Sequence, residues 1–140
     1  MGKLAQLLDT ATKWRTRRKE KHNRAVYAID SFAGDIDKFF TKYLLQEHPT
    51  DIRLIFKNIA VVRVDLIELR VRSLKIATMV KDIGDKDLST LLNEVSNNLE
   101  KFRKVLSSST INNEVVVNCV DNLFDSRNKF LEARSVVKYK

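Results

Sequence analysis

Apolar positions recur at intervals of three and four residues along most of the chain, which is the spacing of one face of an α-helix. The clearest case is residues 50–83, where ten positions follow this spacing and nine of them are apolar. The ten positions are Ile52, Ile55, Ile59, Val62, Leu66, Leu69, Ser73, Ile76, Val80 and Ile83. Further apolar residues widen this stripe: Leu54, Val61, Val64, Ile67, Val71 and Leu74. We therefore expect a central helix with neighbours on several of its sides.

Three other segments show the same periodicity. Residues 30–45 carry a face dense in aromatic side chains, and residues 87–106 and 112–137 each carry a stripe of Leu, Val and Phe. The valine-rich patches at 61–64 and 115–117 favour strands locally, but both lie inside longer helical patterns. The pattern as a whole predicts an all-α fold, an antiparallel four-helix bundle with short connections.

Few residues interrupt these patterns. Pro49 suits the start of the central helix, and Gly84 suits a left-handed cap at its end. Asp87 is the expected N-cap of the helix that follows. Gly34 lies inside a helical pattern, where it predicts a bend or a close helix crossing.

Charge divides the chain into two parts. The 140 residues contain 26 Lys or Arg and 18 Asp or Glu, but residues 1–24 alone have eight cations and two acidic residues, a net charge of +6. Residues 25–140 have eighteen against sixteen, a net charge of +2. We therefore predict a basic N-terminal helical arm at residues 1–24 and a helical bundle domain at residues 25–140.

The arm has its densest charge at residues 13–24. Its seven cations are Lys13, Arg15, Arg17, Arg18, Lys19, Lys21 and Arg24. As a helix this segment is cationic on nearly all sides, and like charges at i,i+4, such as Arg17 and Lys21, weaken an isolated helix. Because bound phosphates would remove that repulsion, the seven cations are the predicted nucleic-acid-binding residues, with duplex DNA favoured, RNA possible and no base specificity. An anionic membrane, an acidic protein and a solvated face without a specific partner remain open.

A short apolar face precedes the cations. It includes Leu4, Leu7, Leu8 and Trp14. We predict that this face docks on another subunit, by self-association or on a homologous chain. Insertion into a membrane interface is the alternative.

Catalytic and metal-binding patterns are absent from the sequence. His22 and His48 are the only histidines and lie far apart, and Cys119 is the only cysteine. We therefore predict no enzyme activity, catalytic residues, metal site or cofactor, and a buried, inert thiol at Cys119. Arg17 and His22 resemble the Arg-x4-His motif of HEPN-family ribonucleases, but in so dense a run of cations an Arg lies at almost any short distance from His22.

Membrane and export signals are also absent from the sequence. The longest run without Asp, Glu, Lys or Arg is nine residues, 105–113, whereas a transmembrane helix needs about twenty mostly apolar residues. The first fourteen residues lack the apolar stretch of a signal peptide. We therefore expect a virion or cytoplasmic location.

The layout of the whole chain, a basic block at residues 13–24 followed by periodic helical segments from Ala25 onward, resembles the major capsid proteins of filamentous archaeal viruses. That resemblance implies arms that wrap duplex DNA and bundles that form the outer shell. The expected function is therefore a non-enzymatic structural protein that coats or packages duplex DNA in many copies. The alternatives are a small helical subunit of a ribonucleoprotein complex and a peripheral membrane or protein-interaction scaffold.

Overall fold

A computed structural model describes the backbone of residues 2–44 and 51–138, and the side chains of residues 13, 15–44 and 51–134. These residues form five α-helices and contain no strand. The helices are α1 (Gly2–Tyr43), α2 (Arg53–Lys57), α3 (Ile59–Asp82), α4 (Lys86–Leu106) and α5 (Asn113–Lys138). The predicted all-α class is confirmed, and both valine-rich patches are helical.

The four long helices enclose one core. α1 contacts α3 and α5, α4 contacts the same two helices, and the short α2 contacts α3. Of the ten stripe positions predicted on the central helix, eight are buried, while Ile59 and Ile83 are partly buried. α1 contributes buried residues from Ala25 to Tyr43, and the apolar stripe of α4 is buried throughout.

α1 is longer than either segment predicted within it. The basic segment, residues 13–24, and the aromatic face that begins at residue 30 belong to one continuous helix of 42 residues, without a break near residue 24. The close helix crossing predicted at Gly34 is wrong, because that residue is exposed and a Cβ added to it would meet nothing within 4 Å.

The central helix begins later than predicted. Asn58 has φ −128° and ψ 32°, so it separates α2 from α3 within the segment expected to be one helix. Its side-chain Nδ2 donates to the carbonyl oxygen of Leu54 at 2.8 Å. An asparagine amide that bonds to nearby backbone in this way competes with helical geometry. Pro49, the predicted start, lies outside the described residues.

The end of α3 follows the prediction, but the start of α4 does not. Gly84 has φ 92°, its N–H bonds to the Lys81 carbonyl at 3.0 Å, and the Asp85 N–H bonds to the Val80 carbonyl at 2.9 Å. This is the Schellman arrangement. Asp85, not Asp87, caps α4, because its Oδ1 accepts from the Leu88 N–H at 3.0 Å.

α3 contacts three helices of this chain, α1, α2 and α4, but they do not cover the apolar residues that were expected to widen its stripe. Five apolar side chains outside its core stripe are exposed: Val61 (49%), Val64 (53%), Ile67 (45%), Val71 (57%) and Leu74 (40%). They are exposed because α1 and α4 pack on the other side of α3, the side that carries the core stripe.

Candidate nucleic-acid interface

All seven predicted nucleic-acid-binding residues lie on α1 and are exposed. They are Lys13, Arg15, Arg17, Arg18, Lys19, Lys21 and Arg24. Successive residues of a helix are rotated by about 100°, so the seven cations surround the helix axis. The burial pattern changes directly after them, because Ala25 is 0% exposed and begins the apolar face of α1.

Several cations outside the basic segment are neutralised by carboxylates. On the helices packed against α1, Arg72 pairs with Asp35 and Arg127 pairs with Asp37. Further pairs join Arg134 to Asp30 at 3.3 Å, Lys42 to Asp65 at 3.6 Å, and both Arg70 and Arg103 to Glu100 at 3.7 and 2.6 Å. Asp35 and Asp37 therefore both join α1 to neighbouring helices.

Five cations of the basic segment differ from these. Arg15, Arg17, Lys19, Lys21 and Arg24 have no ion-pair partner among the described side chains. Their charge is exposed to solvent and not compensated by a neighbouring carboxylate. This part of α1 therefore carries the positive charge that a polyanion could contact.

A groove of about 700 Å³ lies between the basic segment and the turn that joins α3 to α4. Arg18, Lys19, Lys21 and His22 line it from α1, and Asp82, Ile83 and Gly84 line it from the turn. The lining has three side chains with a fixed positive charge and one carboxylate, so the groove favours an anion. Sequence reasoning missed the participation of residues 82–84, because no local pattern links them to α1.

His22 lies in this groove without the arginine that the ribonuclease motif would pair with it. Residues five positions apart on a helix point about 140° apart, whereas residues four apart share a face. Accordingly, Arg18 lines the groove with His22, and Arg17 does not.

A smaller groove of about 230 Å³ lies between α1 and α3. Beside it the Tyr43 hydroxyl donates to Asp65 Oδ2 at 2.5 Å. Burial, followed by this hydrogen bond, raises the pKa of Tyr43 above its usual value. Acidic and basic side chains alternate along the groove, and most of them pair with each other, so it joins the two helices and offers no net charge to a ligand.

Two further predictions concern the thiol of Cys119 and the apolar face at the start of α1. Cys119, which was predicted to be buried, is only half-buried. Burial nevertheless raises the pKa of its thiol, which disfavours the reactive thiolate. The side chains of the predicted subunit interface, Leu4, Leu7, Leu8 and Trp14, lie outside the described residues, although their backbone belongs to α1.

Within the described part of the chain, no three His, Cys, Asp or Glu side chains form a group that could hold a metal ion. No helix in that part carries an apolar stretch long enough to cross a bilayer. Comparison of the chain with protein-family models, curated proteins and solved structures finds no match.

Proposed function

We propose that this chain is a non-enzymatic helical protein that binds the phosphates of nucleic acid through residues 13–24 and coats duplex DNA as one of many copies. The observation that carries this proposal is the distribution of charge. The basic segment is exposed and holds five cations without ion-pair partners in the described structure, whereas seven cations elsewhere in that structure are paired with carboxylates.

The proposed architecture is an antiparallel four-helix bundle from which the basic segment projects as an arm. Support comes from the register of helix contacts. Between the Tyr43–Asp65 pair and the Asp35–Arg72 pair, the residue number falls by eight on α1 and rises by seven on α3, as expected for antiparallel helices. On α1 and α5, Asp37 pairs with Arg127 and Asp30 with Arg134, a fall of seven against a rise of seven.

The same register supports a projecting arm. We continue this correspondence from the ion pairs towards the ends of α3 and α5, with the same rise per residue on both helices. Asp82, the last residue of α3, then lies level with residue 25 of α1, and Lys138, the last residue of α5, lies level with residue 26. Residues 2–24 then extend beyond the level at which both neighbours end, over about 35 Å of helix. A polyanion could approach the arm from several directions.

Binding through such an arm would be electrostatic. Duplex DNA presents one phosphate charge per roughly 1.7 Å of axis, and each neutralised phosphate contributes about −0.9 to the log-log salt slope. Contact with about five phosphates gives a slope of roughly −4 to −5. Phosphate contacts carry no direct sequence information, so binding should tolerate any base sequence.

The test compares two triple variants with the same loss of charge. Arg15, Arg17 and Lys21, which have no ion-pair partner among the described residues, are replaced by Gln in the first. The second replaces Lys57, Lys104 and Lys129, which are exposed on α2, α4 and α5. We expect the first variant to reduce the salt slope on duplex DNA by about 2 to 3 and the second to leave it nearly unchanged. Equal effects of both would contradict a binding site on the arm.

Competition experiments separate the alternatives. Duplex DNA, RNA and anionic vesicles are offered together to the nuclease-treated protein. Preference for DNA supports the proposal, preference for RNA favours the ribonucleoprotein subunit, and preference for vesicles favours the membrane scaffold.

The coat-protein part of the proposal requires assembly on DNA. Sedimentation at saturating duplex DNA should show multimeric nucleoprotein, and Trp14→Ala should weaken it without changing the thermal melt of the bundle. A chain that binds DNA only as a monomer is not a coat protein.

A further inference from the structure

The outward face of α3 carries a regular seam of apolar and small residues. Its positions are Ala60, Val64, Ile67, Val71, Leu74 and Thr78, and all six are exposed. The intervals are four, three, four, three and four residues, which is the a/d spacing of a coiled coil. The four large apolar members of the seam are each 40% to 57% exposed.

The seam has no cover within the described chain. α3 packs on α1 and α4 through the opposite side, where Val62, Leu66 and Val80 are completely buried. Soluble chains rarely leave a continuous apolar strip in water unless it is an interface. A strip that repeats every 3.5 residues fits a second helix with the same repeat, because knobs from each helix enter the holes of the other.

We propose that α3 pairs in parallel with α3 of a second copy of this chain, forming a two-fold dimer. The dimer does not depend on nucleic-acid binding, because the seam and the basic segment are separate surfaces. It is also distinct from the subunit interface predicted at Leu4, Leu7, Leu8 and Trp14.

The residue types favour a two-stranded parallel pair. With Val64 and Val71 at a positions, Ile67 and Leu74 take the d positions. β-branched residues at a with Leu at d favour parallel dimers; Val64, Val71 and Leu74 follow this rule, whereas Ile67 at d departs from it. In that arrangement each of the six seam positions meets the same position of the second copy, so the whole seam is covered.

Charges beside the seam favour the same arrangement. Arg63 at g and Glu68 at the following e position are both exposed, and neither has an ion-pair partner among the described residues. In a parallel dimer Arg63 lies beside Glu68 of the second copy, twice by symmetry. The antiparallel register that covers the whole seam instead brings Glu68 near Glu68 of the second copy and Arg70 near Arg70.

One contact of the parallel dimer places two positive charges beside each other. Arg70 at g lies beside Lys75 of the second copy at e. Within its own chain Arg70 pairs with Glu100 at 3.7 Å, and this carboxylate offsets the repulsion.

The first test is the oligomeric state of the full chain after nuclease treatment, by sedimentation equilibrium. We expect a dimer, and we expect Val71→Glu to raise the dimer dissociation constant by about 100-fold or more, since both copies would bury a charge. Val115→Glu is the matched control, because Val115 is 42% exposed on α5, away from the seam. A monomer at about 100 µM, or equal effects of the two variants, would overturn the proposal.

The second test distinguishes parallel from antiparallel pairing. In a Cys119→Ser background, Val64→Cys places the two new thiols in the same layer of a parallel dimer, within disulfide distance. In the antiparallel register Val64 lies opposite Leu74 of the second copy, so the two thiols are about 15 Å apart along the axis. Rapid disulfide formation in the dimer supports the proposal, and a dimer that fails to cross-link rules out the parallel arrangement.

Both tests are independent of the proposed function. A seam dimer that does not bind DNA would refute nucleic-acid binding alone. A chain that is monomeric without nucleic acid but forms multimeric complexes on DNA would refute the dimer alone.

Discussion

Ser73 is the one polar residue in the core stripe of α3, and it is completely buried. Its Oγ donates to the Leu92 carbonyl of α4 at 2.7 Å, and nearby Ser89 Oγ donates to the Ala77 carbonyl of α3 at 2.9 Å. Both hydroxyls donate to the backbone of the opposite helix. The small serine side chains therefore allow α3 and α4 to pack closely at this point.

Restoring the apolar pattern at Ser73 should therefore destabilise the protein. We expect Ser73→Leu to lower the free energy of unfolding by about 1–3 kcal/mol, because the larger side chain overpacks the contact between α3 and α4. Ser73→Ala should cost about 1 kcal/mol, because it removes only one hydrogen bond. Urea denaturation of both variants measures the difference, and a Leu variant as stable as the wild type would contradict the close packing.

Gly34 and Gly84 should respond to alanine in opposite directions. Gly34 lies in the interior of α1 with open space around it, so Gly34→Ala should stabilise the protein by about 0.5–1 kcal/mol. Gly84→Ala should destabilise it by about 1–2 kcal/mol, because a φ of 92° is unfavourable for a residue with a Cβ. Thermal and urea unfolding give both signs, and the same sign for both variants would refute this reasoning.

At the scale of helices, ion pairs connect elements that the chain separates widely. Glu100 on α4 contacts Arg103 of the same helix and Arg70 of α3. The pKa of Glu100 is lowered, first by its hydrogen bonds from Arg103, although burial opposes this shift. The folded state therefore stabilises the ionised form of the Glu100 carboxyl group relative to the protonated form.

This linkage predicts an effect of pH on stability. Because the folded pKa lies below the unfolded value of 4.5, the contribution of Glu100 is complete above that pH and is lost as the pH falls through the folded pKa. We expect Glu100→Gln to unfold more easily than the wild type near pH 7 and to approach it in stability at acidic pH. Unfolding curves across this range measure the convergence, and a constant difference would exclude Glu100 as its source.

At the scale of the whole molecule, α1 joins a basic half to a half that belongs to the core. The core half begins at Ala25 and continues through Ile29, Phe32 and Ile36, all at most 1% exposed. The described side chains of residues 13–24 are exposed, except for the partly buried His22. The core therefore makes little use of the basic segment.

Deleting residues 1–24 should leave a folded, cooperatively melting protein. Circular dichroism should show the helices of residues 25–140 with a melting midpoint close to that of the full chain. Deleting residues 1–36 is the control, because it also removes Ile29, Phe32 and Ile36, and this variant should not fold cooperatively. Loss of cooperative melting in the shorter deletion would show that the basic segment is part of the fold.

The sequence by itself determined features that depend on neighbours a few residues away. The three-and-four spacing located the core faces of α3, α4 and α5, because an amphipathic helix buries whichever face is apolar. Gly84 indicated the left-handed cap, and the density of Lys and Arg located the exposed basic segment. Asp85 and Asp87 are equally plausible caps by residue type, so only the path of the chain after Gly84 selected Asp85.

Only the tertiary structure decided which surfaces meet. Asp37 and Arg127 pair across 90 positions of the chain, and residues 82–84 join the groove beside Arg18, which no local pattern indicates. Both apolar stripes of α3 look similar in the sequence, yet one is buried and the other is exposed. A helix buries only the sides on which other helices pack, and the chain supplies α1 and α4 on one side of α3.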